Sequence, residues 1–167
     1  MFFKLHHPRG FSLVEILLAI AILAILASMG FIMFGGYQRR TELDTSARQI
    51  AAILRRAQGK AVSGENDKPW GVRFNVDPTN SYVLYRDDGS GYAAATQKET
   101  LSLGGYVKIA AVTIQGAGNE VLFQKRTGTT TTYGSGSGGI AVRLEDIADS
   151  SKFKNIIVTA QGKIDVE

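Results

Sequence analysis

Residues 9–37 read RGFSLVEILLAIAILAILASMGFIMFGGY, and the 22 residues from Ile16 to Tyr37 carry no charge. At a rise of ~1.5 Å per residue, a helix of that length spans about 33 Å, enough to cross a hydrocarbon core of roughly 30 Å. The stretch fits a cleaved secretory signal less well, because it exceeds the ~7–15 apolar residues of such a signal and residues 30–37 offer only a weak small-residue cleavage site. Flanking charge does not orient the span: Lys4 and Arg9 precede it, and Arg39 and Arg40 follow it. One residue breaks the pattern. Glu15 sits just inside the apolar run, where a carboxylate at bilayer depth costs on the order of 2.5–3.5 kcal/mol, less near a helix end. Either it snorkels to the interface or a cation compensates it.

The string Arg9-Gly10-Phe11-Ser12-Leu13-Val14-Glu15, running straight into the apolar helix, resembles the class III signal of type IV prepilins and pseudopilins. The resemblance covers residues 9–27 and implies that prepilin peptidase, a membrane aspartyl enzyme, cuts after Gly10 and that Phe11 becomes a methylated N-terminus. Glu15 then occupies the fifth mature position, where the family places its acidic residue. Physically, cutting leaves a cationic amine on Phe11, and the Glu15 of one subunit can neutralise the amine of its neighbour inside a fibre core that is otherwise hydrocarbon. Many members carry a proline partway along this helix; here Gly30, Gly35 and Gly36 occupy that region, the expected place for local melting or bending. Ala21, Ala24, Ala27 and Ser28 would let neighbouring helices approach closely, or are ordinary membrane-helix composition.

Composition narrows the chemistry of the rest. The chain has no cysteine, and its only histidines are His6 and His7. A thiolate nucleophile, a disulfide framework and a histidine-based catalytic or metal site are therefore excluded from the folded domain. Formal charge is +4, and removing Lys4 and Arg9 with a ten-residue leader leaves 17 basic against 15 acidic side chains, a balance too even to argue for nucleic acid.

Beyond Arg40 the apolar period stays helical, with Leu43, Ala47, Ile50, Leu54, Ala57 and Ala61 forming a narrow stripe. It predicts an amphipathic helix over 42–63 that ends near Gly64 and packs on a sheet. From Trp70 the period becomes two. Strands are expected at 70–76 and 81–86, joined by a turn at 77–80, and then at 106–114, 120–124, 140–144, 155–159 and 163–166, with long loops at 87–97 and 127–139. The expected fold class is α+β, a long N-terminal helix on an antiparallel sheet. Its parts are a leader at 1–10, a membrane or fibre-core helix at 11–37, and a soluble domain at 38–167 with helix over 38–63 and strands over 70–167. That order again resembles the pilin fold, and the Arg- and Ala-rich helix followed by Gly71-Val72-Arg73-Phe74 and a late 123–128 segment resembles the GspH/FimT-like minor pseudopilins.

Asp87-Asp88-Gly89-Ser90-Gly91 lacks the remaining positions of an EF-hand loop and reads as a solvated turn. No catalytic residue, cofactor or metal site stands out, and the chain reads as a structural subunit rather than an enzyme. The resemblance implies as partners prepilin peptidase/methyltransferase, other pilin or pseudopilin subunits, an inner-membrane assembly platform and, before assembly, membrane lipid. It implies single-pass residence in the inner membrane with an extracytoplasmic domain, then a pilus or pseudopilus. Two alternatives differ in class. The cations Arg39, Arg40, Arg48, Arg55, Arg56 and Lys60 against Glu42 and Asp44 suit a DNA-binding minor pilin of an uptake pilus, whose affinity would fall steeply with salt. A single-pass anchored enzyme would need a perturbed carboxylate pair in a cleft.

Overall fold

Helix α1 runs from Leu13 to Val62. Helix formers Ala, Leu, Arg and Gln dominate its second half, and its end is marked by Gly64, which adopts the left-handed backbone (φ 69°) that side chains disfavour. The last turn is closed from outside as well: the Arg126 amide donates to the Ala61 carbonyl at 2.8 Å. This is a computed structural model, and it describes residues 11–76, 80–113, 119–130 and 140–167, apart from the side chains of residues 29–35 and 94. The leader with Gly10, most of the expected turn at 77–80 and most of the loop at 127–139 lie outside the described residues. Those residues fall into two compact units, one up to Gln38 and one from Arg39 to Glu167.

In the second unit the strands are β1 (Trp70–Asn75), β2 (Ser81–Arg86), β3 (Lys98–Ser102), β4 (Val107–Thr113), β5 (Glu120–Phe123), β6 (Ile140–Asp146), β7 (Phe153–Val158) and β8 (Ile164–Val166). They form two antiparallel sheets rather than the single sheet expected, ordered β3-β2-β1-β5 and β4-β6-β7-β8. One core joins both to the helix. Leu43, Ala47, Ile50, Leu54, Ala57 and Ala61 are buried against Trp70, Val72, Phe74 and Phe123 of the first sheet and Ile109, Val142, Leu144 and Ile156 of the second. The stripe read from the sequence is thus the packed face, widened by Ala51 and Ser46. Alternation along β6 is regular, buried at every second residue from Ile140 to Asp146, as a sheet with one covered face requires.

β3 was not foreseen. Only Leu101 of its five residues is even partly buried, so no apolar alternation marks it, and β3 owes its form to the β2 backbone beside it, in register from Ser81↔Ser102 to Tyr85↔Lys98. The stretch at 87–97 is more ordered than a long loop. It folds back so that Tyr92 meets the Tyr85 ring edge-on at 5.4 Å, which buries Tyr85 on the sheet face away from the helix. Burial, and next the Glu120 carboxylate 3.1 Å from its hydroxyl, push the Tyr85 phenol well above its ordinary range.

Gly71 makes room for that ring. Paired directly with Tyr85, it lies where a Cβ would stand 2.8 Å from the Val121 carbonyl and 2.9 Å from Tyr85 Cζ. The backbone contact cannot yield cheaply, so Gly71→Ala should lower stability by about 1–3 kcal/mol, the usual range for overpacking. Gly59, exposed in α1 with open space around it, is the contrast: Gly59→Ala should raise stability by up to about 1 kcal/mol. Denaturant melts of the two variants check both signs, and equal melting would remove close packing as the reason for glycine at 71.

Candidate functional site

Ser12 opens the N-terminal helix, its carbonyl accepting the Glu15 and Ile16 amides at 3.0 and 3.2 Å. Glu15 therefore stands in the first turn, where the positive end of the helix dipole favours a carboxylate by about 0.3–1 kcal/mol. Phe11 precedes the helix and is 76% exposed. Every residue from 11 to 28 is exposed, with Leu13, Val14, Leu17, Leu18, Leu23 and Leu26 among the large apolar side chains. An α-helix that is apolar all round is built for lipid or for other helices. Ser28 donates its hydroxyl to the Ile25 carbonyl at 2.7 Å, so the polar group is satisfied within the helix. The backbone is helical through Gly30, Gly35 and Gly36, and the melted turn expected there is not seen. Among the described residues no helix is long and apolar enough to cross a membrane; the span expected at 16–37 runs through 29–35, whose side chains are not described.

The cations of the second half of α1 are mostly engaged within the domain. Arg39 pairs with Asp146 at 3.2 Å, a carboxylate 2% exposed, and stacks 4.8 Å from the centre of the Tyr106 ring. Arg48 pairs with Asp44, and Arg56 with Glu99 of β3. Lys60 holds Glu65 at 2.6 Å and lies over Trp70. Arg55 donates to the Ile164 carbonyl. Gln58 adds two more ties, to the Gly128 and Gly162 carbonyls at 3.2 and 2.9 Å. The charge imbalance that pointed to DNA is in large part the set of pins that fastens the helix to both sheets. Sequence reading saw Arg39 as a flanking charge and as one of the helix cations; its partner lies 107 residues away, a separation that no local pattern reveals.

The Asp87-Asp88 turn is likewise structural. Asp87 accepts the Gly89 and Gly91 amides at 2.8 Å each. Asp88 is held by the Thr96 hydroxyl and amide and by Arg86, and these donors lower its carboxyl to about 2. The other lowered carboxyls, Asp67 beside Lys125 and Asp149 beside Ser151, sit in separate turns. Among the described residues no three His, Cys, Asp or Glu side chains are placed to hold a metal ion.

Helix α1 thus has an exposed apolar first half with an acidic first turn and a second half pinned across two antiparallel sheets, an α+β fold. Residues 5–31 match the prokaryotic N-terminal methylation motif. Two fimbrial proteins of Pseudomonas aeruginosa are each 26% identical over 87 residues, 50% of this chain, and the chain spans about half (54%) of the length of these curated relatives. Among solved structures the fold is shared with the minor pseudopilin EpsH of the type 2 secretion system of Vibrio cholerae, at 13% identity and TM-score 0.56 over 75% of this chain and 96% of that one. It is shared also with the type IV minor pilin FimU of P. aeruginosa, at 16% identity and TM-score 0.57 over 78% and 92%.

Proposed function

We propose that this chain is a non-enzymatic structural subunit, a minor pilin or pseudopilin, of a type IV pilus or type II secretion-like fibre. It enters the inner membrane through 16–37 with residues 38–167 outside the cytoplasm, is cut after Gly10 by prepilin peptidase, is methylated at Phe11, and assembles through its N-terminal helix with other subunits on an inner-membrane platform. The observation that carries this reading is the match of residues 5–31 to the methylation motif, on a helix whose first turn holds Glu15 and whose apolar residues from 13 to 27 are exposed. The engaged cations of α1 support a scaffold over DNA binding.

Processing tests it. A glycine before the cut suits a narrow protease site, so Gly10→Val should leave the full-length precursor in the membrane, where the wild type runs as the shorter mature form. An immunoblot of membranes from cells with and without prepilin peptidase reads the result. Normal shortening of Gly10→Val, or shortening that does not need the peptidase, would contradict the assignment.

A further inference from the structure

Beside the open edge of β8, two adjoining cavities of about 410 and 350 Å³ share Asp44 and Lys154 and form one groove along α1 from Arg40 to Arg55. The fifteen helical rises between Arg40 and Arg55 make that groove roughly 22 Å long. Its acids are already matched: Asp44 by Arg48 at 2.9 Å and Asp165 by Lys163 at 2.7 Å. Arg40 and Lys154 have no partner among the described residues, and Arg55 has only the Ile164 carbonyl at 3.2 Å. The groove therefore holds three cations without a carboxylate.

Its wall is an unpaired strand edge. β8 ends the order β4-β6-β7-β8. Asn155 and Glu167 exchange both backbone bonds, at 3.0 and 2.8 Å, and the Thr159 amide donates to the Lys163 carbonyl at 2.9 Å. Antiparallel ladders alternate, so Ile164 and Val166 turn their backbone groups away from β7. The Ile164 carbonyl takes Arg55. Among the described residues, both backbone groups of Val166 and the Ile164 amide have no partner.

We propose that this groove docks an extended acidic segment of another polypeptide, added as a strand to β8. Its backbone pairs with Val166 and the Ile164 amide, and its carboxylates meet Arg40, Arg55 and Lys154. Alternating donor and acceptor groups along an edge are matched by a peptide backbone, as in β-strand addition; a phosphate offers nothing to the outward Val166 carbonyl. The groove belongs to the globular unit, so this inference stands whatever role the N-terminal helix has.

The test uses the full chain in detergent micelles and two labelled eight-residue peptides, one alternating glutamate and valine, the other lysine and valine. The glutamate peptide should bind by fluorescence anisotropy, more weakly as salt rises, and should shift the Val166 amide resonance; the lysine peptide should not bind. Arg40→Glu combined with Lys154→Glu, the first exposed and the second half-buried in the groove wall, should weaken binding by about tenfold or more, equivalent to ~1.4 kcal/mol. Val166→Pro, which removes the outward amide, should weaken it without altering the charge. Absence of binding at about 1 mM peptide, equal binding of both peptides, or binding that leaves the Val166 amide unmoved would each overturn the proposal.

Discussion

Glu15→Val should insert into the membrane and be cleaved as the wild type is, yet be missing from sheared fibres. Removing a carboxylate from an apolar run makes insertion easier, by up to about 2.5–3.5 kcal/mol and by less near the helix end. On the proposed processing, cleavage depends on Gly10, five residues away, and should persist. Assembly is where the loss appears. The structure places Glu15 in the first turn of a helix whose surrounding side chains are apolar and exposed, so in the proposed fibre core its carboxylate is the group that would meet the Phe11 amine of a neighbour. Leaving that amine unpaired in hydrocarbon costs several kcal/mol, which is a loss of a hundredfold or more in incorporation. Immunoblots of the sheared fraction against the membrane fraction separate the steps. Normal incorporation of Glu15→Val with normal cleavage would show that the carboxylate has no part in docking; an enzyme merely anchored by this helix would keep both its place and its activity.

The second large effect is on folding of the globular unit. A chain beginning at Gln38 should be monomeric and melt cooperatively, because every side chain of the shared core lies within residues 43–164. Beginning at Gly64 removes Leu43, Ile50 and Leu54 with their small neighbours. Each large side chain is worth about 2–5 kcal/mol in a core, and together they amount to about as much as the ~5–15 kcal/mol that holds a typical domain folded, so that product should be unfolded or aggregated. Beginning at Thr41 keeps the stripe but deletes Arg39, leaving the buried Asp146 carboxylate with the Ala148 amide at 2.8 Å and without its cation. That start should fold but lose about 1.5–3 kcal/mol, the range for a hydrogen bond to a charged group. Circular dichroism melts of the three chains check the order, and a stable chain from Gly64 would show that the helix is not core.

Local periodicity made the elements with one covered face legible. The stripe from Leu43 to Ala61 and the alternation at Trp70, Val72 and Phe74 state burial directly, and the structure buries those residues. Two kinds of feature were not legible. β3 carries Lys98, Glu99 and Thr100 on an exposed edge, so its strand character comes from pairing with β2, which a pattern of burial cannot express. The division into two sheets depends on which strands pair across long separations, such as β1 with β5, and the sequence order of strands is compatible with one sheet or two. At the site the asymmetry is similar. The reading of Gly10, Phe11 and Glu15 as the processing and docking residues rests on seven consecutive residues, whereas the Arg39–Asp146–Tyr106 contact and the Gln58 ties join residues 65 or more positions apart.

The most direct measurement is the intact mass and N-terminal sequence of the protein isolated from cells that express prepilin peptidase. A mature chain that begins at Phe11, with one methyl group on its amine, is the predicted result. A chain that begins near Tyr37, or one that retains residues 1–10 while sitting in assembled fibres, would contradict it.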